Sequence, residues 1–150
     1  MAGTWAAARA AIAAALHGQT CTPSGHDAQT LVCIEWPPTS RQTVFPHGYV
    51  IPSTEEVDRM PGAWTAITIE ARVRIVLSES TDIASVVKQY DAWKPVVANA
   101  FDTKITLDGN CDYIGTQSIG PLTLFDEDGA WGFETKFEKL RVSHADTFEG

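Results

Sequence analysis

The chain has 150 residues, a formal net charge of -8 and 44% hydrophobic residues, a size and composition typical of one globular domain, residues 1–150. The acidic balance argues against the basic surface that a protein needs to bind nucleic acid. The cysteines Cys21, Cys33 and Cys111 form no CxxC pair, so we expect free thiols rather than a disulfide framework or a zinc site. No stretch reaches the roughly 20 apolar residues that a membrane span requires.

The alanine-rich start predicts a helix over residues 4–17, because alanine has the lowest cost of helix formation. Thr4 is suited to cap its first turn and Gly18 to end it. Arg9 interrupts the apolar run and no charged segment leads it, which favours a helix of the domain over a secretion signal. The polar residues 19–30 are typical of a loop.

Residues 31–36 predict a short strand, which the two following prolines end because proline cannot continue a central ladder. Residues 39–62 are the least regular part of the sequence. We interpret them as an extended irregular arm, in which residues 43–45 and 49–51 pair as a small hairpin.

The predicted arm carries apolar side chains that have no place in a two-layer core. Left exposed they would form a sticky patch, which usually marks an interface with another chain. These candidate contact residues are Val44, Phe45, Tyr49, Val50 and Ile51. Trp5 and Trp36 lie near the ends of predicted elements and are further candidates, because tryptophan favours interface hot spots. A place in the core is the alternative for both tryptophans.

Residues 64–77 predict the longest strand, because apolar and polar side chains alternate along it as in a strand with one buried face. The buried face is expected to hold Ile67, Ile69, Ala71, Val73, Ile75 and Leu77.

Residues 83–101 have apolar side chains at helical spacing, and Asp82 is suited to cap the first turn. Because Pro95 cannot donate to an upstream carbonyl, we expect two helices, residues 83–90 and 94–101. Their apolar side chains are expected to cover one face of the sheet: Ile83, Val86, Val87, Val96 and Val97.

Residues 111–119 predict a further strand, and residues 122–125 and 131–142 predict a hairpin around an acidic turn. Residues 143–150 are typical of a loose tail. The patterns together predict an α+β fold, with a mainly antiparallel sheet of about four strands, helices packed on one face, an N-terminal helix and the irregular arm. The four strands are residues 31–36, 64–77, 111–119 and 131–142, and the core lies within residues 64–142.

The sequence contains no recognisable catalytic or cofactor-binding motif. The acidic turn at residues 126–129 resembles part of a calcium loop, but Leu124 and Thr135 would stand where such a loop needs carboxylates. A solvated hairpin turn is the better interpretation. The four histidines are dispersed without metal-ligand spacing. We therefore predict a protein without catalytic activity, bound metal or cofactor.

From residue 64 onward the order and style of the elements resemble a known family. The stretches TIEARVRIVLSE, DIASVVKQYDAW, PVVANAF and GAWGFETKFEKLRV are similar to the strand, helix, helix and strand of the tail terminator (tail completion) proteins of long-tailed bacteriophages. The resemblance covers most of residues 64–142. It implies a structural protein of the virion neck, made in the host cytoplasm, that forms a hexameric ring, caps the tail tube protein and joins it to the head-closure or connector protein.

Head-closure proteins share this size and composition, so a neck adaptor or another non-catalytic binding module is the alternative, and a small α+β enzyme is the least favoured interpretation. A ring on the path of the genome has to pass DNA without gripping it, which an acidic lining of the lumen favours. The candidates for this lining are Asp108, Asp112, Asp126, Glu127 and Asp128. An acidic outer rim that only aids solubility is the alternative.

Overall fold

The computed structural model describes residues 4–60 and 64–145 of the chain. The first element is helix α1, Trp5–Leu16, whose start is capped by Thr4: the side-chain hydroxyl accepts a hydrogen bond from the amide of Ala7 at 3.2 Å. One side of the helix is buried against the sheet. The predicted alanine-rich helix is therefore confirmed.

The described residues form nine strands and one further helix, numbered in chain order. The strands are β1 (Thr20–Cys21), β2 (Gln29–Thr30), β3 (Val32–Ile34), β4 (His47–Ile51), β5 (Glu55–Met60), β6 (Trp64–Ser78), β7 (Gln117–Ile119), β8 (Thr123–Phe125) and β9 (Ala130–Ala145). Helix α2 (Ile83–Asn99) separates β6 from β7. β1 and β2 pair only with each other, and the other seven strands form one sheet.

The large sheet is built on β6 and β9, which run antiparallel from the pair Trp64 and Ala145 to the pair Ser78 and Trp131. Its order is β3-β4-β6-β9-β7, with β5 also paired to β6 and β8 to β9. β3 and β4 are parallel, while the other pairs are antiparallel. The predicted fold of four mainly antiparallel strands with helices packed on one face is therefore wrong. The long strands β6 and β9 and the β8–β9 hairpin are confirmed.

Most of the predicted arm belongs to the sheet. β4 and β5 both come from residues 39–62 and follow one another along the same side of β6, interrupted only at residues 52–54. Residues 43–45 lie in no strand, so the predicted hairpin is wrong. The sequence hides the two strands because β4 is buried on both faces and the side chains of residues 55–59 are all exposed, so neither shows the alternation of a half-buried strand.

Helix α2 is continuous through Pro95, so the predicted break into two helices is wrong. The helix loses one backbone hydrogen bond at the proline, but Trp93 and Val97 on either side of it are fully buried and hold both halves on the core. Ile83 and Val87 are 47% and 38% exposed instead of covering the sheet.

The main core joins α1 and α2 to the buried residues of β6 and β9 and to the turns that follow α2. Leu107, Cys111 and Ile114 in these turns are buried in it. Residues 111–116 make only an isolated bridge, Tyr113 to Arg141, so the strand predicted for residues 111–119 is confirmed only at β7.

A second, smaller cluster lies across the sheet from the main core. Neighbouring strand residues face opposite sides, so Tyr49 lies on the other face from the core residue Val50. Tyr49 packs there with Val76 and Ala130, and the segment before β4 contributes Phe45. At the chain end, β9 extends the sheet to residue 145, where the sequence predicts a tail; residues 146–150 lie outside the described part.

Candidate assembly surfaces

An apolar stripe is exposed along β3 and just beyond it. Val32, Ile34 and Trp36 are 39%, 38% and 56% exposed. Val32 and Ile34 alternate along β3 and so point to the same side, and Trp36 follows in the bend after the strand. Trp36, a predicted contact residue, also has the guanidinium of Arg9 5.7 Å from its ring centre. We call Val32, Ile34 and Trp36 the β3 stripe.

The other predicted contact residues are mostly inside the molecule. Tyr49 is 5% and Val50 1% exposed, because the strand that holds them lies between β3 and β6 in the sheet. Phe45 and Ile51 are partly buried against the smaller cluster.

Two predicted contact residues remain to be placed. Val44 is 61% exposed and is free to touch another chain. Trp5 is partly buried and packs against the main core, which is the alternative placement that the sequence left open. Of the seven predicted contact residues, Trp36 and Val44 are therefore the ones with a large exposed surface.

Arg74 on β6 is the centre of a polar network on the face of the sheet away from the main core. Its guanidinium donates to Glu134 at 2.9 and 3.0 Å and to Asp128 at 3.2 Å. It also lies 4.0 Å from the centre of the Phe125 ring and donates to the Tyr49 hydroxyl at 3.2 Å. The network thereby ties the acidic β8–β9 turn to β4 and β6.

The charges of this network are partly removed from water. Burial raises the pKa of Tyr49 to about 12. Burial alone would lower the pKa of Arg74, but its hydrogen bonds to Glu134 and Asp128 and the charges of Tyr49 and Glu134 outweigh burial, so the pKa lies above its usual value. The arginine stays charged and the phenol stays neutral at physiological pH, so the network is a stable structural contact.

Several of the predicted lumen-facing acids have cationic partners in the chain. Asp108 pairs with Lys104 at 2.9 Å, and Asp112 with Arg141 at 3.6 Å.

In the acidic turn, Asp128 is bound by Arg74, while Glu127 is 75% exposed and touches Arg74 only at 3.4 Å. Asp126 is exposed. The acidity that the sequence presents as one block is thus partly neutralised by pairing.

The two acidic groups also lie far apart. The turn at residues 126–129 precedes the start of β9, whereas Asp112 binds Arg141 near the other end of that strand. At about 3.3 Å per residue, the eleven-residue step from Ala130 to Arg141 corresponds to roughly 35 Å. The two acidic turns therefore lie near opposite ends of β9.

The described residues give no site for a metal or an activated thiol. Among residues 4–60 and 64–145, no group of three or more His, Cys, Asp or Glu side chains is placed to hold a metal ion. Burial raises the pKa of Cys33 to about 12 and, with the charge of Asp112, that of Cys111 to about 11. Both thiols stay protonated at neutral pH and are poor nucleophiles.

A cleft with a volume of about 990 Å³ lies between α1 and the end of α2. Alanines of α1 form one wall, and Val96 and Ala100 contribute to the other. Lys104 and Asp108 at its edge pair with each other. The cleft offers shape and small side chains, and the lysine and aspartate at its edge are paired with each other.

Strand β5 is a surface that the sequence did not reveal. Its residues Glu55 to Arg59 are exposed on both faces, and within the described part of the chain β5 pairs only with β6. The signal that finds it is the Pro61-Gly62 dipeptide, which is typical of a turn and lies between β5 and β6.

Neither protein-family models nor curated proteins gave a match to this chain. In the described part of the chain, neither helix has the length and apolar character needed to cross a membrane.

Proposed function

We propose that the chain is a non-catalytic structural protein that assembles with copies of itself, and that its place is the neck of a long-tailed phage. There it forms a tail terminator ring, expected to be hexameric, that caps the tail tube protein and meets the head-closure or connector protein. The protein is made in the host cytoplasm and ends in the virion, and the genome passes through the ring without specific binding.

The observation that carries this proposal is the β3 stripe. Two exposed apolar side chains on β3 are followed just beyond the strand by an exposed tryptophan, which is the most exposed of the three. Adjacent exposed apolar groups with a tryptophan are typical of an interface between proteins. The phage assignment itself rests on the resemblance of residues 64–142 to tail terminator proteins.

Light scattering coupled to size exclusion tests self-assembly. The wild type is expected to run as a closed oligomer, and the variant Ile34→Ser, Trp36→Ala to run as a folded smaller species. Ile105→Ser is the matched control, because Ile105 is 61% exposed in a different part of the chain. A wild-type monomer at all concentrations, or equal behaviour of both variants, would contradict the proposed interface.

Purified tail tube protein tests the place in the virion. The ring is expected to bind the ends of assembled tubes, to stop their growth at a defined length and to be visible there by electron microscopy. Binding to head connectors but not to tubes would instead support the head-closure alternative. An oligomer that binds neither would leave a different assembly role.

A further inference from the structure

Within residues 4–60 and 64–145, strand β5 has no neighbour on its outer edge, and the side chains of Glu55 to Arg59 are uncovered on both faces. Five consecutive side chains from Glu55 to Arg59 are exposed, although the strand is paired over its full length with β6. Unpaired edges of this length present backbone donors and acceptors that readily pair with another strand.

The apolar surface of the sheet continues onto this edge. In the register of the three strands, Val142 lies opposite Ile67, and Ile67 lies opposite Val57. Val142 is fully buried, Ile67 is partly buried and Val57 is 44% exposed. The row of apolar side chains therefore extends one strand further than the cover provided by the rest of the chain.

The charges beside Val57 are complementary to a second copy of the same strand. Glu55 and Arg59 share the face of Val57, one on each side of it. They are four residues apart, roughly 13 Å along the strand, and so cannot reach each other within one chain. Among the ion pairs between described residues, none includes Glu55 or Arg59.

We propose that two copies of the chain pair antiparallel through β5, about a two-fold axis at Val57. In this register Val57 meets Val57 of the second copy, and each Glu55 meets an Arg59. The apolar row then runs without a gap from Val142 of one copy to Val142 of the other. The contact is separate from the β3 stripe and holds whether or not the chain forms a ring.

The opposite face of the strand sets the register. There Glu56 meets Asp58 of the second copy, so the pair carries like charges on this face. If the two-fold axis moves by one residue along the strand, Glu56 lies opposite Glu56 or Asp58 lies opposite Asp58. In both of these registers Glu55 no longer lies opposite Arg59. Only the register centred on Val57 keeps both favourable ion pairs.

Charge-reversal variants test the pairing, with association measured by sedimentation equilibrium. Each variant is made in the wild type and in the Ile34→Ser, Trp36→Ala protein. The second set separates the two-fold contact from the proposed ring contact. Glu55→Arg or Arg59→Glu alone turns two attractive pairs into two repulsive ones and is expected to weaken the two-fold contact about tenfold or more at low salt. The double variant Glu55→Arg, Arg59→Glu restores opposite charges at both places and is expected to regain the contact.

Two further variants test the other face and the fold. Glu56→Gln, Asp58→Asn removes the like-charge pairs and is expected to tighten the contact. Because all these positions are exposed, each variant should keep the wild-type Tm, which shows that a loss of association is not a loss of folding. If the protein that carries only Ile34→Ser, Trp36→Ala stays monomeric at millimolar concentration, the proposal is overturned. It is also overturned by a dimer that is indifferent to the single reversals, or by one that the double exchange fails to restore.

Discussion

Arg74 donates twice to the same carboxylate oxygen of Glu134, from Nη2 at 2.9 Å and from Nε at 3.0 Å. The side chain of Arg74 is 15% exposed and that of Glu134 is 22% exposed. A charge pair so far removed from water depends on both members, since removing one leaves the other uncompensated.

Replacement of Arg74 by alanine should therefore be severe. We expect Arg74→Ala to lower the free energy of unfolding by about 3 kcal/mol, because Glu134 and Asp128 lose their partner and Phe125 loses its cover. Glu127→Gln is the matched control and should change the free energy by no more than about 0.5 kcal/mol, since Glu127 is 75% exposed. Urea denaturation measures both, and equal effects would contradict the central place of Arg74.

Gly132 allows β9 to pass close to β6. A Cβ atom at this position would fall inside contact distance of the carbonyl oxygen of Ile75, which is backbone and cannot turn away. We expect Gly132→Ala to cost about 3 kcal/mol of folding free energy or to prevent folding. Gly48→Ala is the comparison, because the atom nearest its new methyl group is the flexible end of the Ile75 side chain at 3.1 Å, and the nearest backbone atom, the carbonyl oxygen of Arg74, is 3.3 Å away. A cost for Gly48→Ala equal to that for Gly132→Ala would show that the backbone clash is relieved.

Two valines from the predicted arm differ in burial, one lying inside the sheet and the other on the surface. Val50 is 1% exposed in β4 and Val44 is 61% exposed just before it. Val50→Asp buries an unpaired charge and should unfold the domain, whereas Val44→Asp should leave Tm unchanged within a few degrees. Circular dichroism melting curves measure the difference. A folded Val50→Asp variant would return residues 43–51 to the status of an arm.

The ionisation of Tyr49 at high pH should report on the network. Burial raises its pKa in the folded protein from the ordinary 10.0 to about 12. The folded state thus favours the protonated phenol: the resulting stability is fully present below pH 10 and is lost as the pH rises through 12. The difference in absorbance titration between the wild type and Tyr49→Phe should have its midpoint about two pH units above that of a free tyrosine. A midpoint near 10 would mean that the phenol is in contact with solvent.

The sequence predicts the elements whose burial follows a simple period. Helix α1, strand β6 and strand β9 are found where alanine content and alternation place them. β4 and β5 escape prediction for opposite reasons, because one is buried on both faces and the other is exposed on both. Pro95 predicts a helix break that tertiary packing of Trp93 and Val97 overrides.

The candidate surfaces were predictable only in part. Trp36 could be chosen from its place at the end of a strand, but Tyr49 and Val50 could not be rejected, since their burial depends on pairing with β6. The contact between Arg74 and Asp128 joins residues 54 positions apart. No local sequence pattern predicts a contact between residues so far apart in the chain. The contact matters because it shows that one acid of the turn is bound by an arginine.

The acidity of this turn leads to the last prediction, which concerns the proposed ring. Three consecutive acids at residues 126–128 were expected to act together in repelling DNA from the lumen. Asp128 is instead committed to Arg74 and Tyr49, so the exposed charge belongs to Asp126 and Glu127. A test that changes all three residues would break the fold network and confuse stability with DNA passage.

The informative variant is therefore Asp126→Lys, Glu127→Lys, with Asp128 left in place. If the turn lines the lumen, particles carrying this variant should assemble normally but eject DNA more slowly, because lysines facing the duplex bind phosphate. The delay should be largest at low salt, where charges are least screened. Asp108→Lys tests the other candidate turn in the same way, since it lies near the other end of β9. Ejection at the wild-type rate in low salt, from particles shown to contain the doubly substituted protein, would place Asp126 and Glu127 on an outer rim and leave solubility as the role of their charge.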